Sequence, residues 1–108
     1  MRILLETVNL VRIDHFRGFD HYWAITAEDE IAENGSWIQG PGKSFFDAML
    51  GEFGSLPVIA EDLGLITPEV NSMRNECGFP GMKVLQFAYD DDWHQPFLPH
   101  SVESLSVI

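Results

Sequence analysis

Two short apolar segments that each end in a carboxylate constrain this chain more than any other feature. The first runs from Leu10 to Asp14 and the second from Leu56 to Glu61. Each contains β-branched residues and has the length of a buried strand. Because the active sites of parallel barrels lie at the carboxyl ends of their strands, acids in these two places predict a functional edge of a parallel sheet.

The first segment alternates charged and apolar residues. In a strand, Arg12 and Asp14 lie on one face while Val11 and Ile13 lie on the other. The guanidinium of Arg12 would then orient the carboxylate of Asp14, as a nucleophile or an electrostatic stabiliser requires. An ordinary surface ion pair is the alternative that this motif alone leaves open.

Helical patterns follow each of these two strands. The first predicted helix covers Lys43–Phe53 and ends at Gly54. One face of this helix is predicted to carry apolar residues at four-residue steps, Phe45, Met49 and Phe53. The second begins at Thr67, a good N-cap, followed by Pro68 in its first turn, and ends at Gly78.

A third strand is predicted over Met82–Ala88, whereas Ser101–Ile108 shows no pattern. The order strand, helix, strand, helix, strand predicts an α/β fold, because right-handed crossovers make such strands parallel neighbours. The 47-residue step from Asp14 to Glu61 fits one barrel unit with an enlarged loop. The 26-residue step from Glu61 to Phe87 fits one strand–helix unit with short loops.

The enlarged loop, from His15 to Gly42, is expected to be irregular because glycines and a proline interrupt it. Its aromatic residues include Tyr22, Trp23 and Trp37. Rings of this kind stack on the apolar faces of sugars, and they equally often pack a loop onto its own scaffold. Both interpretations stay open for each ring.

The composition narrows the class of partner. The chain has 108 residues and a net charge of −11, from 17 acidic and 6 basic residues. This charge argues against nucleic acids and anionic membrane surfaces, which bind basic patches. The single cysteine, Cys77, excludes an internal disulfide and favours a reducing, cytoplasmic location. Cys77 shares a helical face with Val70 and Met73, which predicts a buried structural thiol.

The motifs together resemble the amylomaltases, the 4-alpha-glucanotransferases of glycoside hydrolase family 77. The resemblance extends from about Leu10 to Pro99. It is carried by Val11-Arg12-Ile13-Asp14-His15-Phe16-Arg17-Gly18-Phe19, Tyr22-Trp23-Ala24-Ile25, Trp37, Gly40-Pro41-Gly42, Ile59-Ala60-Glu61-Asp62-Leu63-Gly64, Ile66-Thr67-Pro68-Glu69-Val70 and Gly78-Phe79-Pro80-Gly81-Met82-Lys83-Val84-Leu85-Gln86-Phe87-Ala88.

The resemblance implies a (β/α)₈ barrel enzyme that transfers segments of α-1,4-glucans or maltodextrins. The reaction would retain the configuration at the anomeric carbon. It implies no organic cofactor and no catalytic metal. Asp14 matches the nucleophile, Glu61 the general acid/base, and Arg12 the arginine that orients the nucleophile. Three further residues match positions at or beside the substrate site: His15, Asp62 and Phe87.

Physical arguments agree with a retaining mechanism. Retention needs two carboxyl groups about 5–5.5 Å apart, and neighbouring strands lie about 4.8 Å apart. Acids at two neighbouring strand ends can therefore reach the required spacing. Because a general acid must hold a proton, Glu61 is expected in drier surroundings than Asp14.

The chain also departs from the family. We expect residues 1–108 to form a fragment of the catalytic barrel, with about three of its eight parallel strands. The family's third acid, in a His-Asp-Asn-Asp motif, has no match here. A partial barrel exposes strand edges and core, so we expect the isolated chain to be unstable, prone to aggregation and inactive.

Two alternatives remain at this point. The chain could be a non-catalytic remnant that binds maltodextrins through Tyr22, Trp23, Trp37 and Phe87. A metal-dependent enzyme is the weaker alternative, with Asp14, Glu61 and Asp62 as oxygen ligands. The acidic run Asp90–Asp92 is interpreted as a solvated loop.

Overall fold

A computed structural model describes residues 1–89 and 94–108 of the chain. The acidic run Asp90–Asp92 lies outside these residues. The described part is an α/β structure with three two-stranded sheets. The helices are α1 (Arg2–Thr7), α2 (Lys43–Phe53) and α3 (Pro68–Glu76), with 3₁₀ turns at Phe16–Phe19, Ala32–Asn34 and Leu85–Ala88. The strands are β1 (Val11–Ile13), β2 (His21–Ala24), β3 (Ser36–Gln39), β4 (Val58–Ala60), β5 (Gly81–Met82) and β6 (Ser106–Val107).

The two segments that end in acids form one parallel sheet, as predicted. β1 pairs with β4, and Val11 lies opposite Val58 while Ile13 lies opposite Ala60. Val58 and Ala60 are buried in one cluster with Phe46 of α2 and Val70 of α3, so they face the helical layer. The parallel direction follows from the crossover through α2, which returns the chain to the same end of the sheet.

The two predicted helices after these strands are confirmed, and their ends have local causes. At α3, the hydroxyl of Thr67 accepts a hydrogen bond from the N–H of Val70, and Pro68 occupies the first turn. At the end of α2, Gly54 adopts a φ of +74°, where a residue with a Cβ would be strained. The sequence therefore fixed where α2 stops and α3 starts.

The core is an aromatic cluster beneath the β1–β4 sheet. Phe16, Phe46 and Phe79 are completely or almost completely buried. The ring of Phe46 stacks on Phe16 at 5.3 Å between centroids and meets Phe79 edge-on at the same distance. Val70 and Met73 of α3 complete the cluster, so the rings join both helices to the sheet.

The most buried residue of α2 is Phe46, which lies outside the set of apolar residues at four-residue steps. Phe46 has no exposed surface, whereas Phe45 is 38% exposed and packs on Phe19 at the rim of the cluster. Met49 and Phe53 are only partly buried. Helical spacing groups residues by face, but the ring of Phe16 decides which face of α2 lies against the sheet.

The segment His15–Gly42 is more regular than predicted. β2 and β3 form an antiparallel hairpin, in which Trp23 lies directly opposite Trp37. The indole rings meet edge-on at 5.4 Å, and the indole N–H of Trp23 donates to the carbonyl of Ala32 at 2.7 Å. Cross-strand aromatic pairs of this kind stabilise a hairpin even when its loop is long.

The predicted third strand is mostly wrong. Within the predicted range only Met82 belongs to a strand, β5, and Leu85–Ala88 forms a 3₁₀ turn. A short run that is apolar on both faces fits a strand and a tight helix equally well, so periodicity could not separate them. β5 lies beside β4, where the N–H of Ala60 donates to the carbonyl of Pro80 at 2.9 Å.

The last residues are also more ordered than the sequence indicated. β6 pairs in parallel with β5, and Gly81 lies opposite Ser106. The N–H of Lys83 donates to the carbonyl of Val107 at 2.8 Å, which holds the last residues against β5. None of the helices within residues 1–89 and 94–108 has the length and apolar character needed to cross a bilayer.

Replacing Phe46 with alanine tests the aromatic core. We expect Phe46→Ala to lower the free energy of unfolding by about 3–5 kcal/mol, because it empties a fully buried site. Phe45→Ala is the matched control on the same helix, and its effect should be much smaller. Urea unfolding followed by circular dichroism measures both, and equal losses would contradict the assigned face of α2.

Cys77 is partly buried at the end of α3, and burial raises the pKa of its thiol. Since the thiolate is the reactive form, Cys77 should react with iodoacetamide at pH 8 more slowly than an exposed cysteine. The rate should rise when urea unfolds the chain. Mass spectrometry of timed samples follows the alkylation, and equal rates in folded and unfolded chain would refute the burial.

Candidate active site

The parallel register brings Asp14 and Glu61 to the same end of the sheet. Each follows the last residue of its strand, Ile13 in β1 and Ala60 in β4, and those two residues are opposite each other. The N–H of Glu61 donates to the carbonyl of Ile13 at 2.9 Å. The two acids are thereby held at neighbouring strand ends, as the sequence predicted.

Two backbone N–H groups hold the carboxylate of Glu61. Its Oε2 accepts from the N–H of His15 at 2.7 Å, and its Oε1 accepts from the N–H of Leu63 at 2.9 Å. The carbonyl of Glu61 accepts from the N–H of Phe16 at 3.0 Å. Both the main chain and the side chain of Glu61 therefore accept hydrogen bonds from the turn that follows Asp14.

His15 adopts the left-handed conformation, with φ and ψ both at +51°. A residue with a Cβ takes this conformation at a cost of about 1–2 kcal/mol. The conformation directs the N–H of His15 toward Glu61, and the hydrogen bond offsets part of the cost. The imidazole of His15 itself is exposed beside Gly18.

Arg12 and Asp14 are paired at the surface. Nη2 of Arg12 donates to Oδ1 of Asp14 at 2.8 Å, and the Asp14 side chain is 74% exposed. Glu61 is partly buried, so it lies in drier surroundings than Asp14, as expected. An exposed pair adds little to stability, but it fixes the direction of one carboxylate.

Asp62 lies in a different environment from the one expected for a substrate-site residue. Its side chain is only 2% exposed and forms an ion pair with Arg74 of α3. Oδ2 accepts from Nη1 of Arg74, and Oδ1 accepts from the N–H of Met82 at 2.7 Å. Both oxygens of Asp62 are therefore engaged in the interior, where the packing of α3 brings Arg74 against this side chain.

Gly81 makes room for this buried pair. A Cβ at Gly81 would overlap Nη1 of Arg74 and Oδ2 of Asp62. Sequence reasoning missed Arg74 and Gly81 as parts of this region. An arginine among the apolar positions of α3 and a glycine at the start of a strand were the signals that could have drawn attention to them.

Phe87 is 55% exposed in the 3₁₀ turn and meets the ring of Phe97 edge-on at 5.4 Å. Tyr22, Trp23 and Trp37 of the hairpin are also exposed. The guanidinium of Arg17 covers one face of Trp37 at 4.5 Å, so this face is not free to stack on a sugar. The structure thus groups Trp23 with Trp37 and places Phe87 on a separate segment.

Two open cavities lie on the described surface. One of about 260 Å³ adjoins the loops after β1 and β4 and is lined by Arg17, Asp20, His21, Trp37, Thr67 and Glu69. A larger one of about 420 Å³ lies at the opposite ends of these strands, lined by Leu5, Val8, Asn9, Phe53, Ser55 and Pro57. Of these two cavities, the smaller lies on the side of the two acids.

The metal-site alternative has no geometric support. Among residues 1–89 and 94–108, no three His, Cys, Asp or Glu side chains are grouped so that they could hold a metal ion. Asp62, the third ligand in that alternative, is bound to Arg74 instead.

Comparison with known proteins identifies the family. The profile of glycoside hydrolase family 77, described as 4-alpha-glucanotransferase, matches residues 1–108. The chain therefore belongs to this family of 4-alpha-glucanotransferases. The match includes residues 100–108, so the predicted end of the resemblance near Pro99 was wrong.

Individual relatives agree with the family. The chain is 56% identical over 97 residues to the 4-alpha-glucanotransferase of Thermus thermophilus, which covers 90% of this chain and 19% of the relative. It is 45% identical over 108 residues to the 4-alpha-glucanotransferase of Streptococcus pneumoniae. This alignment covers 100% of this chain and 21% of the relative. The chain thus spans about one fifth of the length of these relatives.

A solved structure matches the fold as well. The amylomaltase from Streptococcus agalactiae in complex with acarbose superposes with a TM-score of 0.90 and 35% sequence identity. The superposition covers 97% of this chain and 21% of the amylomaltase. The α/β arrangement described above is therefore a part of the amylomaltase fold.

Removing the buried arginine tests the Asp62–Arg74 pair. Arg74→Met should lower the free energy of unfolding by about 3–5 kcal/mol, because it leaves a buried carboxylate unpaired. Arg2→Met removes an exposed pair with Glu52 and serves as the control, with little expected change. Urea unfolding of both variants measures the difference, and similar midpoints would contradict the buried pair.

Proposed function

We propose that this chain is part of the catalytic domain of a 4-alpha-glucanotransferase that transfers α-1,4-glucan segments with retention. The observation that carries the proposal is the hydrogen bond between Oε2 of Glu61 and the N–H of His15, the residue next to Asp14. This bond joins the carboxylate of Glu61 to the turn that follows Asp14. Family membership supports the same reaction.

In this proposal Asp14 is the nucleophile. Its carboxylate attacks the anomeric carbon, the glycosidic C–O bond breaks, and a covalent glucosyl ester forms. The exposed position of Asp14 allows a sugar to approach, and the bond from Arg12 aims the carboxylate. A 4-hydroxyl of a second glucan then attacks the ester and regenerates the aspartate.

Glu61 is the proposed general acid and base. It protonates the departing glycosidic oxygen and then accepts the proton of the incoming 4-hydroxyl. Both its oxygens accept backbone N–H groups in this structure. Because a neutral carboxyl group is a weaker acceptor than a carboxylate, these two hydrogen bonds weaken when Glu61 carries the proton.

The larger architecture of the proposal is a (β/α)₈ barrel of which residues 1–108 form one part. The parallel β1–β4 pair, its crossover through α2, and α3 after β4 are what consecutive units of such a barrel contain. Acids at the carboxyl ends of both strands fit the side of a barrel that carries active sites.

The proposed substrates are α-1,4-glucans and maltodextrins. The Streptococcus agalactiae amylomaltase was solved with acarbose, which supports a site for linked sugars in this family. Tyr22, Trp23 and Phe87 are exposed aromatic side chains on the described surface. Their rings could provide apolar platforms for successive glucose units.

A non-catalytic maltodextrin-binding role is the second candidate. It is favoured by the open cavity of about 260 Å³ beside the loops after β1 and β4.

Two forms of the chain separate the candidates. The first is the 108-residue chain itself, and the second is a chimera in which it replaces the matching stretch of the Thermus thermophilus enzyme. Both are incubated with maltotriose, and glucose and longer maltodextrins are quantified by chromatography. Transfer products from the chimera support the proposal, whereas a folded chimera without products, together with maltodextrin binding by the isolated chain, supports the second candidate.

Asp14→Asn in the chimera tests the assigned nucleophile. We expect turnover to fall at least about 10³-fold, since the amide cannot form the covalent ester. Asp47→Asn, which changes an exposed acid paired with Lys43 on α2, is the control and should retain most of the activity. Mass spectrometry should detect a glucosyl adduct in the parent chimera, and full turnover by Asp14→Asn would remove Asp14 from the mechanism.

A further inference from the structure

The buried ion pair between Asp62 and Arg74 lies directly beside the candidate acid/base, Glu61. Their side chains are 2% and 5% exposed, so both charges have been taken out of water. Well-packed apolar residues often stabilise a protein as much as a buried ion pair does. Stability alone therefore gives a weak account of why these two charges lie at this point.

The geometry links the pair to Glu61 through the main chain. Oδ1 of Asp62 accepts from the N–H of Met82, and Oδ2 accepts from Arg74, so the residue is tied to β5 and to α3. The next residue, Leu63, donates its N–H to Oε1 of Glu61 at 2.9 Å. The direction in which the chain leaves Asp62 therefore decides where this donor lies.

Arg74 is itself held in one orientation. Its Nε and Nη2 donate to Oδ1 of Asn75 at 3.3 and 2.9 Å, and Nη2 lies 3.6 Å from Oε2 of Glu103. Gly81 leaves space for the guanidinium. A planar guanidinium with several fixed donors positions a carboxylate more strictly than a single ammonium would.

We propose that Asp62 and Arg74 are positioning residues, which fix the N–H of Leu63 and thereby aim the carboxylate of Glu61. This inference rests on the proposed function of Glu61. The other N–H donor to Glu61, from His15, belongs to the β1 turn and is independent of the pair. Weakening the pair should therefore disturb one of the two bonds and leave the other.

The first test is spectroscopic and uses the chimera with the Thermus thermophilus enzyme, labelled selectively with ¹⁵N-leucine and ¹⁵N-histidine. Glu61→Ala removes both acceptors and gives reference amide signals for Leu63 and His15 without their hydrogen bonds. Asp62→Asn keeps an oxygen for Met82 but turns an amide nitrogen toward Arg74. Its Leu63 amide signal should move toward the Glu61→Ala position in ¹H–¹⁵N NMR spectra, while the His15 signal should stay near its original position.

Val70→Ala is the matched control. Val70 is fully buried on the same helix, α3, and makes no hydrogen bond to Asp62 through its side chain. It should lower stability without moving the Leu63 signal. Arg74→Lys keeps the charge and provides a milder second variant should Asp62→Asn not fold. An unchanged Leu63 signal in the folded variants, or the same shift in Val70→Ala, would overturn the inference.

The second test is kinetic and uses the chimera with the Thermus thermophilus enzyme. Arg74→Met should reduce kcat by up to about 100-fold with KM nearly unchanged, because small displacements of a catalytic group cost rate more than binding. Arg74→Lys should recover part of kcat. Equal losses in kcat for Val70→Ala, or a change confined to KM, would contradict positioning.

The two tests fail in different ways. A chimera without turnover while it carries all its native acids would refute the proposed function. The NMR comparison would still report whether Asp62 and Arg74 fix the N–H of Leu63, since it requires no activity.

Discussion

The parallel register between β1 and β4 is the constraint on which the candidate site depends. It places Ile13 opposite Ala60 and joins the N–H of Glu61 to the carbonyl of Ile13. A slip of one residue would turn every side chain of one strand to the other face. Asp14 and Glu61 would then no longer lie at matching strand ends. The chemistry proposed for this chain therefore begins with backbone hydrogen bonds and not with the acids themselves.

The aromatic core keeps this register in place. Phe16 follows directly after the turn at His15, and its ring is buried against Phe46 and Phe79. The same residue donates its N–H to the carbonyl of Glu61. Side-chain packing and a backbone hydrogen bond thus both hold Phe16 in place. The left-handed conformation of His15 is maintained because its neighbours on both sides are fixed.

Two consecutive acids, Glu61 and Asp62, have different surroundings. Glu61 reaches backbone donors at the open end of the sheet, and Asp62 is buried against Arg74. Both are carboxylates at the end of one apolar run, so local sequence does not distinguish them. The position of α3 makes the difference, because it brings a guanidinium to one of the two acids. We therefore propose that one family motif contains a residue for chemistry, Glu61, and a residue for positioning, Asp62.

The sequence by itself determined the parts that depend on local rules. These are the strand ends at Asp14 and Glu61, the N-cap at Thr67, and the glycine at the end of α2, because alternation, capping and positive φ act within a few residues. Tertiary structure decided which face of α2 is buried, that Met82–Ala88 is mostly not a strand, and that Asp62 meets Arg74. Those outcomes depend on contacts between segments far apart in the chain, and no local pattern encodes the direction in which two distant side chains meet.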